Sequence, residues 1–479
     1  MLRRLFLIFI LISVFAFAGC KISGKISHNG VGLEGITVTL SGDASMSTTT
    51  DADGTYVFRK LKPGNYKVKP VDEKYSFEPV SKDVKTGHKK IAHADFETAA
   101  PTPPATLPVW STYQGNASHT GYIPIKLKPQ HFTEGWTKNI AVDELDIESV
   151  ELNPVTAGDG KVFVTTAGYF GPNLAMALNS ATGETLWSYD FGDIHSIHPP
   201  AYHNGSVYIQ SAGHDDSFLW AFDAEFGGVL FNPAPYGNQW SRYYAPTIYD
   251  GNVYVAGGHY GGAYGFDGIT GEELWFADLN QYDQWTPAVN EEHVIAYTGL
   301  YTPQLTVLNR LTGVVEFSIP DPNFVWDGWS MNLAPVLGGQ NNVIAIHDGR
   351  IISFDLVSKD IGYEIREEAG DFSGQPSLAE GIIYAVFEGF LRALYESDGS
   401  FIEEWQPWQP PQDESIVTPM IVTDNLIFVS TASTTYAVDL ASQTEVWSYP
   451  AGGHLALSDE GILFIATAGG ELIAIFTIK

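Results

Sequence analysis

Cysteine is almost absent from this sequence. Cys20 is the only one in 479 residues, so the chain cannot form an intrachain disulfide. Basic residues are also scarce, since 25 Lys and Arg stand against 56 Asp and Glu and leave a formal net charge of −31. A chain this acidic repels nucleic acid, and we expect no nucleic-acid partner.

Motifs that mark common catalytic sites are missing as well. The sequence contains no nucleophile elbow, phosphate-binding loop or zinc-binding helix motif. His195 and His198 are three residues apart, but two histidines in a loop without further ligands are a weak indication of a metal site. We therefore predict no catalytic residue, no metal and no cofactor, and a protein that is not an enzyme.

An apolar run near the N-terminus indicates export. Two arginines precede apolar residues 5–18, which are too few to span a bilayer comfortably, and small residues then lead to Cys20. Residues 1–20 resemble the signal peptide of a bacterial lipoprotein, in which Cys20 carries the lipid. An ordinary secretion signal or an uncleaved anchor is the alternative. By the sorting pattern of that class, Lys21 implies the outer membrane, on either its periplasmic or its surface side.

Residues 21–98 are predicted to form a small β-sandwich. Apolar and polar residues alternate around Asp-Gly and Pro-Gly turns, which is typical of short strands. Residues 24–68 resemble the carboxypeptidase regulatory-like family, and the resemblance implies a transthyretin-like sandwich that acts as a spacer or an adhesion module. Asp51 and Asp53 could bind calcium, but turn residues that bond to their own backbone are the favoured interpretation.

A proline-rich linker follows at residues 99–107, and the charge changes across it. Its composition is typical of an extended, semi-rigid spacer. Residues 107–479 contain 11 Lys and Arg and 46 Asp and Glu, a net charge of −35. Solubility or a salty habitat explains this charge, and a cationic partner is the alternative. The acidic run at residues 143–151 is predicted to be a solvated loop rather than a calcium site.

A repeat dominates residues 108–479. In its clearest copy Asp267 is followed by Gly271 after four residues and by Trp275 after eight. An X-Pro pair, two short apolar runs and a turn precede each copy, and the prolines recur every 41 to 48 residues. Strand-like runs at this period are typical of the four-stranded blades of a β-propeller. The eight-residue step recurs at Asn179 and Trp187, Asp223 and Phe231, Asn309 and Phe317, Asp355 and Tyr363, and Asp439 and Trp447.

The number of blades depends on the two ends of this region. The last copy, residues 454–479, supplies three strands, whereas the strand-like stretch 132–140 has no three strands before it. Pairing the two would close the ring and remove its open edges. We therefore predict an all-β chain in which a small β-sandwich precedes an eight-bladed β-propeller.

These repeats resemble the pyrroloquinoline quinone-like repeat family, and residues 110–121 are similar to the lead-in of its domains. The resemblance implies that the aromatic residue of one blade packs on a peptide of the next. The residues expected at these inter-blade positions are Trp136, Trp187, Trp275, Trp405 and Trp447. Quinone-dependent dehydrogenases share the fold, but their pattern of adjacent cysteines over the cofactor has no counterpart in this sequence.

Aromatic residues outside the repeat collect in the connections that enter the first strand of a blade or join its second and third strands. In an antiparallel blade these connections share one face, which we call the aromatic face. We predict that it binds a partner, and side chains that only fill the channel are the alternative. The opposite face, which we call the turn face, is predicted to carry plain Thr-Gly and Asp-Gly turns. The residues singled out for binding are Trp240, Tyr243, Tyr244, His259, Tyr260, Trp285, Trp326 and Trp329.

Together these features predict a monomeric, membrane-anchored, non-catalytic binding or scaffold protein whose partner is a protein or a glycan. The propeller lipoproteins of the outer-membrane barrel-assembly machinery are similar in anchor and ring, although they lack the sandwich. A quinone-dependent oxidoreductase and a surface glycan-binding or adhesion module are the alternatives.

Overall fold

The structure is a computed structural model of the 479-residue chain. Among the residues that it describes, the helical elements are the short α-helix Ile140–Asp143 and the 3-10 turn Pro129–His131, and strands make up the rest of the regular structure. The prediction of an all-β chain is confirmed. The described residues are 20–28, 31–71, 77–79, 81–87, 91–98, 110–213, 217–237, 245–257, 261–279, 285–298, 302–325, 334–339, 341–367, 370–411 and 414–478.

The chain divides into two compact units, residues 1–105 and residues 106–479. The first contains the predicted β-sandwich, with one sheet built around Cys20–His28 and another that pairs Thr37–Gly42 with Gly64–Val71. Alternate side chains of Gly64–Val71 are buried, because a pleated strand turns every second residue toward the core. The other strands of this unit are Val31–Gly32, Met46–Thr49, Thr55–Leu61, Phe77–Glu78, Lys82–Thr86, Ile91–His93 and Phe96–Thr98.

The turn at Asp51 is held by its own carboxylate. Oδ1 of Asp51 accepts hydrogen bonds from the backbone nitrogens of Asp53 at 3.1 Å and Thr55 at 2.8 Å, and Oδ2 accepts one from the Thr55 hydroxyl at 2.6 Å. These bonds, that of the Thr55 hydroxyl above all, hold the pKa of Asp51 below its ordinary value. Asp51 therefore caps its own turn, as the favoured interpretation predicted.

In the second unit the described residues form eight sheets, which we number as blades 1 to 8 by the order of their first strands. Apart from one short strand added to blade 7, all strand pairs in these sheets are antiparallel. Blade 1 contains Glu151–Leu152, Thr156–Gly158, Lys161–Ala167, Leu174–Asn179 and Thr185–Asp190. Blade 2 contains Ser196–Ile197, Ala201–His203, Ser206–Ala212, Phe218–Asp223 and Ala234–Pro235. Blade 3 contains Thr247–Tyr249, Asn252–Ala256, Ala263–Asp267 and Glu273–Ala277, and blade 4 contains Ala288–Val289, His293–Thr298, Gln304–Asn309 and Val315–Pro320.

The remaining blades follow the same plan. Blade 5 contains Val336–Leu337, Asn342–His347, Arg350–Asp355 and Asp360–Ile365, and blade 6 contains Phe372–Ala379, Ile382–Phe387 and Phe390–Tyr395. Blade 7 contains Val417–Thr423, Leu426–Ser430, Thr435–Asp439 and Glu445–Tyr449, with the short strand Tyr122–Ile123 added in parallel to its first strand. Blade 8 contains His454–Leu457, Ile462–Ala466, Glu471–Phe476 and Thr133–Asn139.

One inner strand of each blade contacts the inner strand of the next blade around a closed ring. In blades 1 and 2 this strand is Thr156–Gly158 and Ala201–His203, and in the other blades it is the first strand. The ring closes where His454–Leu457 of blade 8 touches Thr156–Gly158 of blade 1. Blade 8 takes its fourth strand from the beginning of the unit, because Thr133–Asn139 pairs antiparallel with Glu471–Phe476. The predicted closure is confirmed, and it removes the strand edge that the last blade would otherwise expose.

Three tryptophans join neighbouring blades: Trp187 and Trp275 at the eighth position of the repeat, and Trp136 on the closing strand. Each donates its indole N–H to the carbonyl of the residue that follows the Asp or Asn of the next blade, at 2.8 to 3.0 Å. This contact places a large apolar ring between blades and satisfies its single polar group. The pairs are Trp136 with Ser180, Trp187 with Ala224, and Trp275 with Arg310.

The glycine of the repeat makes this docking possible. Gly313 has φ of +68° and lies under the ring of Trp275, where a Cβ would come within 2.5 Å of the ring. Gly183 and Gly227 meet the docking rings in the same way, each with a Cβ position 2.6 Å from the ring. The spacing of four and eight residues therefore reflects a contact between adjacent blades, in which the aromatic ring of one blade packs on the glycine of the next.

Trp405 and Trp447 lie between blades but make different contacts. The indole nitrogen of Trp405 donates to the carbonyl of Leu391 in its own blade at 3.4 Å, whereas its ring joins a buried cluster shared by blades 6 and 7. Trp447 faces blade 8, whose fourth strand arrives from the start of the unit and therefore has no preceding turn. The ring of Trp447 packs edge-on against that of Phe132, with the ring centroids 5.3 Å apart.

Candidate functional site

Residues 110–121 run along the inner strands of the ring, and we call them the central segment. They bond to seven blades in chain order, from Trp110 with Ala157 of blade 1 to Gly121 with Val422 of blade 7, at 2.6 to 3.0 Å. The resemblance to the pyrroloquinoline quinone-like repeat family identified this segment only as the lead-in to the repeat domain. Its run of small and polar residues is the sequence signal for a chain that bonds to backbone in a confined space. The intervening bonds join Ser111 to Tyr202, Thr112 to Pro246, Ala117 to Val289, Ser118 to Leu337 and Thr120 to Leu378.

His119 is the buried polar centre of this segment. Its Nδ1 lies 2.7 Å from the carbonyl oxygen of Tyr113, and its Nε2 lies 2.9 Å from that of Pro287. Burial lowers the pKa of His119, whereas the two carbonyl oxygens favour its charged form. Gln114 makes a similar contact, because its Nε2 donates to the carbonyl of Pro376 at 2.5 Å. Both side chains therefore tie the segment to the ring.

The structure describes part of the predicted aromatic face. Tyr169, Phe170 and Phe390 are exposed in the connections between second and third strands. The rings of Tyr169 and Phe170 pack against His195, with centroids 4.6 Å and 5.0 Å away. These three rings form an aromatic group where blade 1 leads into blade 2. The role of seven other residues stays a prediction, since they lie outside the described residues: Trp240, Tyr243, Tyr244, His259, Tyr260, Trp326 and Trp329.

The role predicted for Trp285 is wrong. This side chain is 1% exposed and belongs to the buried cluster between blades 3 and 4. A ring that does not reach solvent cannot anchor a partner, so Trp285 fills the interior, which was the alternative for this set of residues. Phe372 and Arg350 also follow the connections of this face, and both are buried.

His195 and His198 are buried in the ring. The backbone nitrogen of His198 donates to the carbonyl of Gln210 at 3.0 Å, and its carbonyl accepts from the hydroxyl of Thr165 at 2.9 Å. Burial lowers the pKa of His195. Within the described part of the chain, no group of three or more His, Cys, Asp or Glu side chains is placed to hold a metal ion.

A buried ion-pair cluster links blades 4 and 5. The guanidinium of Arg350 donates to both carboxylate oxygens of Asp321 at 2.6 Å and 3.0 Å, and the hydroxyl of Tyr297 donates to the same carboxylate at 2.6 Å. Glu364 approaches Arg350 at 3.3 Å. Burial and the charge of Asp321 raise the pKa of Tyr297 well above its ordinary value. The cluster therefore fixes the connection that leaves blade 4.

The acidic run at residues 143–151 is more than a solvated loop, so that prediction is wrong in part. Oε1 of Glu144 lies 2.7 Å from Nζ of Lys138 and accepts from the hydroxyl of Thr185 at 2.8 Å. Burial opposes the charge of Glu144, but these two partners outweigh it and hold its pKa below the ordinary value. Glu144 therefore connects the closing strand to the outermost strand of blade 1.

Two family models match the chain. One, described as BOS complex subunit NOMO1-like, second beta sandwich domain, matches residues 17–98. The other, described as outer membrane protein assembly factor BamB, matches residues 127–247 and 237–449, which together are more than half of the chain. The chain belongs to this BamB family. No curated protein is similar to it in sequence.

Solved propellers resemble this BamB-family chain at low sequence identity. BamB from Moraxella catarrhalis is 12% identical with a TM-score of 0.53, and the match covers 72% of this chain and 99% of that one. Quinohemoprotein alcohol dehydrogenase from Comamonas testosteroni is 14% identical with a TM-score of 0.57, covering 78% and 81%. The computationally designed Ika8 protein is 14% identical with a TM-score of 0.54, covering 69% and 97%. At these identities the likeness shows the fold alone.

The BamB-family match and the site geometry cover different parts of the molecule. Residues 127–449 include the docking tryptophans, whereas the central segment at residues 110–121 precedes the match. The match therefore covers blades 1 to 7 and the closing strand, whereas the central segment and the other three strands of blade 8 lie outside it. Among the described residues, no helix is long and apolar enough to cross a membrane.

Proposed function

We propose that the protein is a non-catalytic scaffold of the bacterial cell envelope, which presents a propeller face to a protein or glycan partner. Membership of a family described by an outer membrane protein assembly factor supports the envelope and assembly parts of this proposal. The observation that carries the scaffold part is the central segment. Thr112 and His119 bond to carbonyls of blades 3 and 4, so the segment ties neighbouring blades together at their inner strands.

A braced ring is a good platform because its surface is ordered before a partner arrives. Association is favoured when few groups lose conformational freedom on binding. The docked tryptophans and the bonds of the central segment fix each blade against the next. On the aromatic face, the exposed Tyr169 and Phe170 offer a large apolar area, and the hydroxyl of Tyr169 adds a polar group, a combination that suits peptides and glycans.

Photo-crosslinking in intact cells tests the aromatic face. A photoreactive amino acid at Phe170 or Trp329 should form an adduct with the same partner. Val446 is the matched control, since it is an exposed side chain on the outermost strand of blade 7 and should give no adduct. Absence of adducts at both test positions, or equal labelling at Val446, would count against this surface. Reduction of a dye by the protein after incubation with pyrroloquinoline quinone would instead favour the alternative function, a quinone-dependent oxidoreductase.

We also propose that a lipid on Cys20 attaches the protein to the outer membrane. Cys20 begins the first strand of the sandwich, is buried, and donates its thiol proton to the carbonyl of Gly87 at 2.9 Å. A β-bulge separates it from the regular pairing that begins at Ile22. The first residue can therefore leave the sandwich for a membrane while the rest of the strand stays paired.

Replacement of the cysteine tests the anchor. Because several acyl chains hold a protein firmly to a bilayer, Cys20→Ser should move the protein from the membrane fraction to the soluble fraction. The melting temperature of the sandwich is measured in parallel, since the thiol is buried and its loss could affect folding. A folded variant that still sediments with membranes without detergent would rule out lipidation at this position.

A further inference from the structure

The four most exposed large apolar side chains among the described residues occupy related positions in consecutive blades. Ile269, Leu311 and Val357 lie two residues after the Asp or Asn of the repeat in blades 3, 4 and 5, and are 86%, 65% and 71% exposed. Phe226 of blade 2 lies one position later and is 81% exposed. We call these four the tip residues. All follow the third strand of a blade, so they lie on the turn face, which was predicted to be plain.

The turns do not need these side chains in order to form. In blade 3 the carboxylate of Asp267 accepts hydrogen bonds from the nitrogens of Ile269 and the next residue at 2.9 Å and 2.8 Å. Blades 1 and 7 build the same turn with the same two bonds, but carry Ala181 and Ala441 at the tip. Since alanine suffices there, the large apolar tips of blades 2 to 5 are not required for folding.

The tips are also held rigidly. Gly271, two residues after Ile269, docks against the ring of Phe231, where a Cβ would come within 2.4 Å. Arg310, just before Leu311, is buried and donates to the carbonyl of Glu291 at 2.8 Å. A partner that covers these side chains therefore loses little free energy by ordering their turns.

Carboxylates surround the tips. The basic groups nearest to them are engaged, because Lys161 lies 2.8 Å from Glu225, Arg310 lies 3.7 Å from Asp250, and Lys359 covers the ring of Phe317 at 4.3 Å. Lys161 and Arg310 are moreover buried. Lys359 is exposed, but six exposed carboxylates outnumber these three cations, so the net charge that a partner meets on these turns is negative. The exposed carboxylates on them are Glu225, Asp250, Glu272, Glu291, Glu292 and Asp360.

We propose that the tip residues form a second docking surface whose occupant is a basic amphipathic segment of a protein. Its apolar side chains would cover the tips, while its Lys or Arg side chains would face the carboxylates between them. An anionic membrane is a poor occupant, because the same carboxylates repel it. This inference rests on the proposed scaffold role, but the surface lies opposite the aromatic face and is tested separately.

A defined peptide tests the surface on the full chain. A fluorescent peptide of alternating Leu and Lys should bind the wild type with an affinity that falls as salt is added. The variant F226A/I269A/L311A/V357A should bind it about tenfold more weakly or worse, as expected when several apolar contacts are truncated. A Ser–Lys peptide of equal length and charge should bind both proteins equally. The control variant V142A/V446A removes exposed apolar side chains elsewhere and should bind like the wild type.

Several results would overturn the proposal. One is equal binding of the Leu–Lys peptide by the wild type and the four-tip variant. Another is binding to anionic vesicles that the four-tip variant loses. A third is a wild-type dimer that becomes a monomer in the variant, since the occupant would then be a second copy of the chain. If crosslinking at Phe170 succeeds while the peptide test fails, the scaffold role stands and only this second surface is lost.

Discussion

Two positions of the same repeat have opposite environments. At the eighth position, Trp187 and Trp275 are buried against a glycine of the next blade and donate their N–H groups to the carbonyls of Ala224 and Arg310 in that blade. Two residues after the Asp or Asn, Ile269 and Leu311 project into solvent. Both positions recur with equal regularity in the sequence. Regular spacing thus shows that a side chain occupies the same place in each blade. Whether that side chain stabilises the ring or lies on its surface depends on its burial.

Removal of the closing strand should abolish the difference in burial between these two positions. We expect this change to have the largest effect. Deletion of residues 132–140 removes the fourth strand of blade 8 and leaves Glu471–Phe476 with an open edge. The protein should then aggregate or lose cooperative unfolding, as measured by light scattering and calorimetry. Melting of the shortened chain at the temperature of the parent would show that the ring does not depend on this pairing.

The contact between Trp275 and Gly313 offers a sharper test of the buried position. Trp275→Ala should cost about 3 to 5 kcal/mol of the free energy of unfolding, as loss of a core tryptophan does. Gly313→Ala should also destabilise the protein, because φ is +68° and the new Cβ would strike the ring. Chemical denaturation of both single variants and the double variant measures the coupling.

The double variant should lose less stability than the sum of the single variants, since the ring that the Cβ strikes is then absent. If the losses of stability in the two single variants add strictly, Gly313 is required only for its positive φ. The same pair of changes between blades 1 and 2, at Trp187 and Gly227, provides a second copy of the experiment.

Acid should weaken the interior of the ring before the exposed turns lose their carboxylate bonds. Burial lowers the pKa of His454 to about 4, and it lowers the pKa of His119 and His195 in the same direction. An unfolded histidine has a pKa of about 6.5, so below that pH the unfolded chain binds protons that the folded chain does not. The free energy of unfolding should therefore fall as the pH decreases from about 6.5 toward 4.

Replacing the titrating group tests the cause of this acid sensitivity. His454→Gln should flatten the pH dependence in that window. Thermal melting across the pH range measures the slope in the variant and in the wild type. An unchanged slope in His454→Gln would assign the acid sensitivity to other groups.

Most of the fold could be predicted because its signals are local. The turns, the strand period and the step from Asp267 to Trp275 all lie within one blade, and the unpaired stretch 132–140 identified the closing strand. The central segment could not be found in this way, because its bonds join residues far apart in sequence, such as Thr112 and Pro246.

The two faces show where residue type alone misleads. Trp285 was expected to be an anchor because an aromatic side chain in a connection suits either a buried or an exposed position, and the structure buries it. The turn face was expected to be plain because glycine and threonine dominate its turns. Its apolar residues, such as Ile269, are single side chains within polar turns, so no hydrophobic periodicity reveals them.

Calorimetry on two matched sets of alanine variants tests the central claim most directly. The docking set is Trp136→Ala, Trp187→Ala and Trp275→Ala, and the tip set is Ile269→Ala, Leu311→Ala and Val357→Ala. We expect each docking variant to lose about 3 to 5 kcal/mol of stability. Each tip variant should stay within about 0.5 kcal/mol of the wild type, because blades 1 and 7 already carry alanine at this position. Equal destabilisation of the two sets would contradict the division of the repeat into a structural and a binding position.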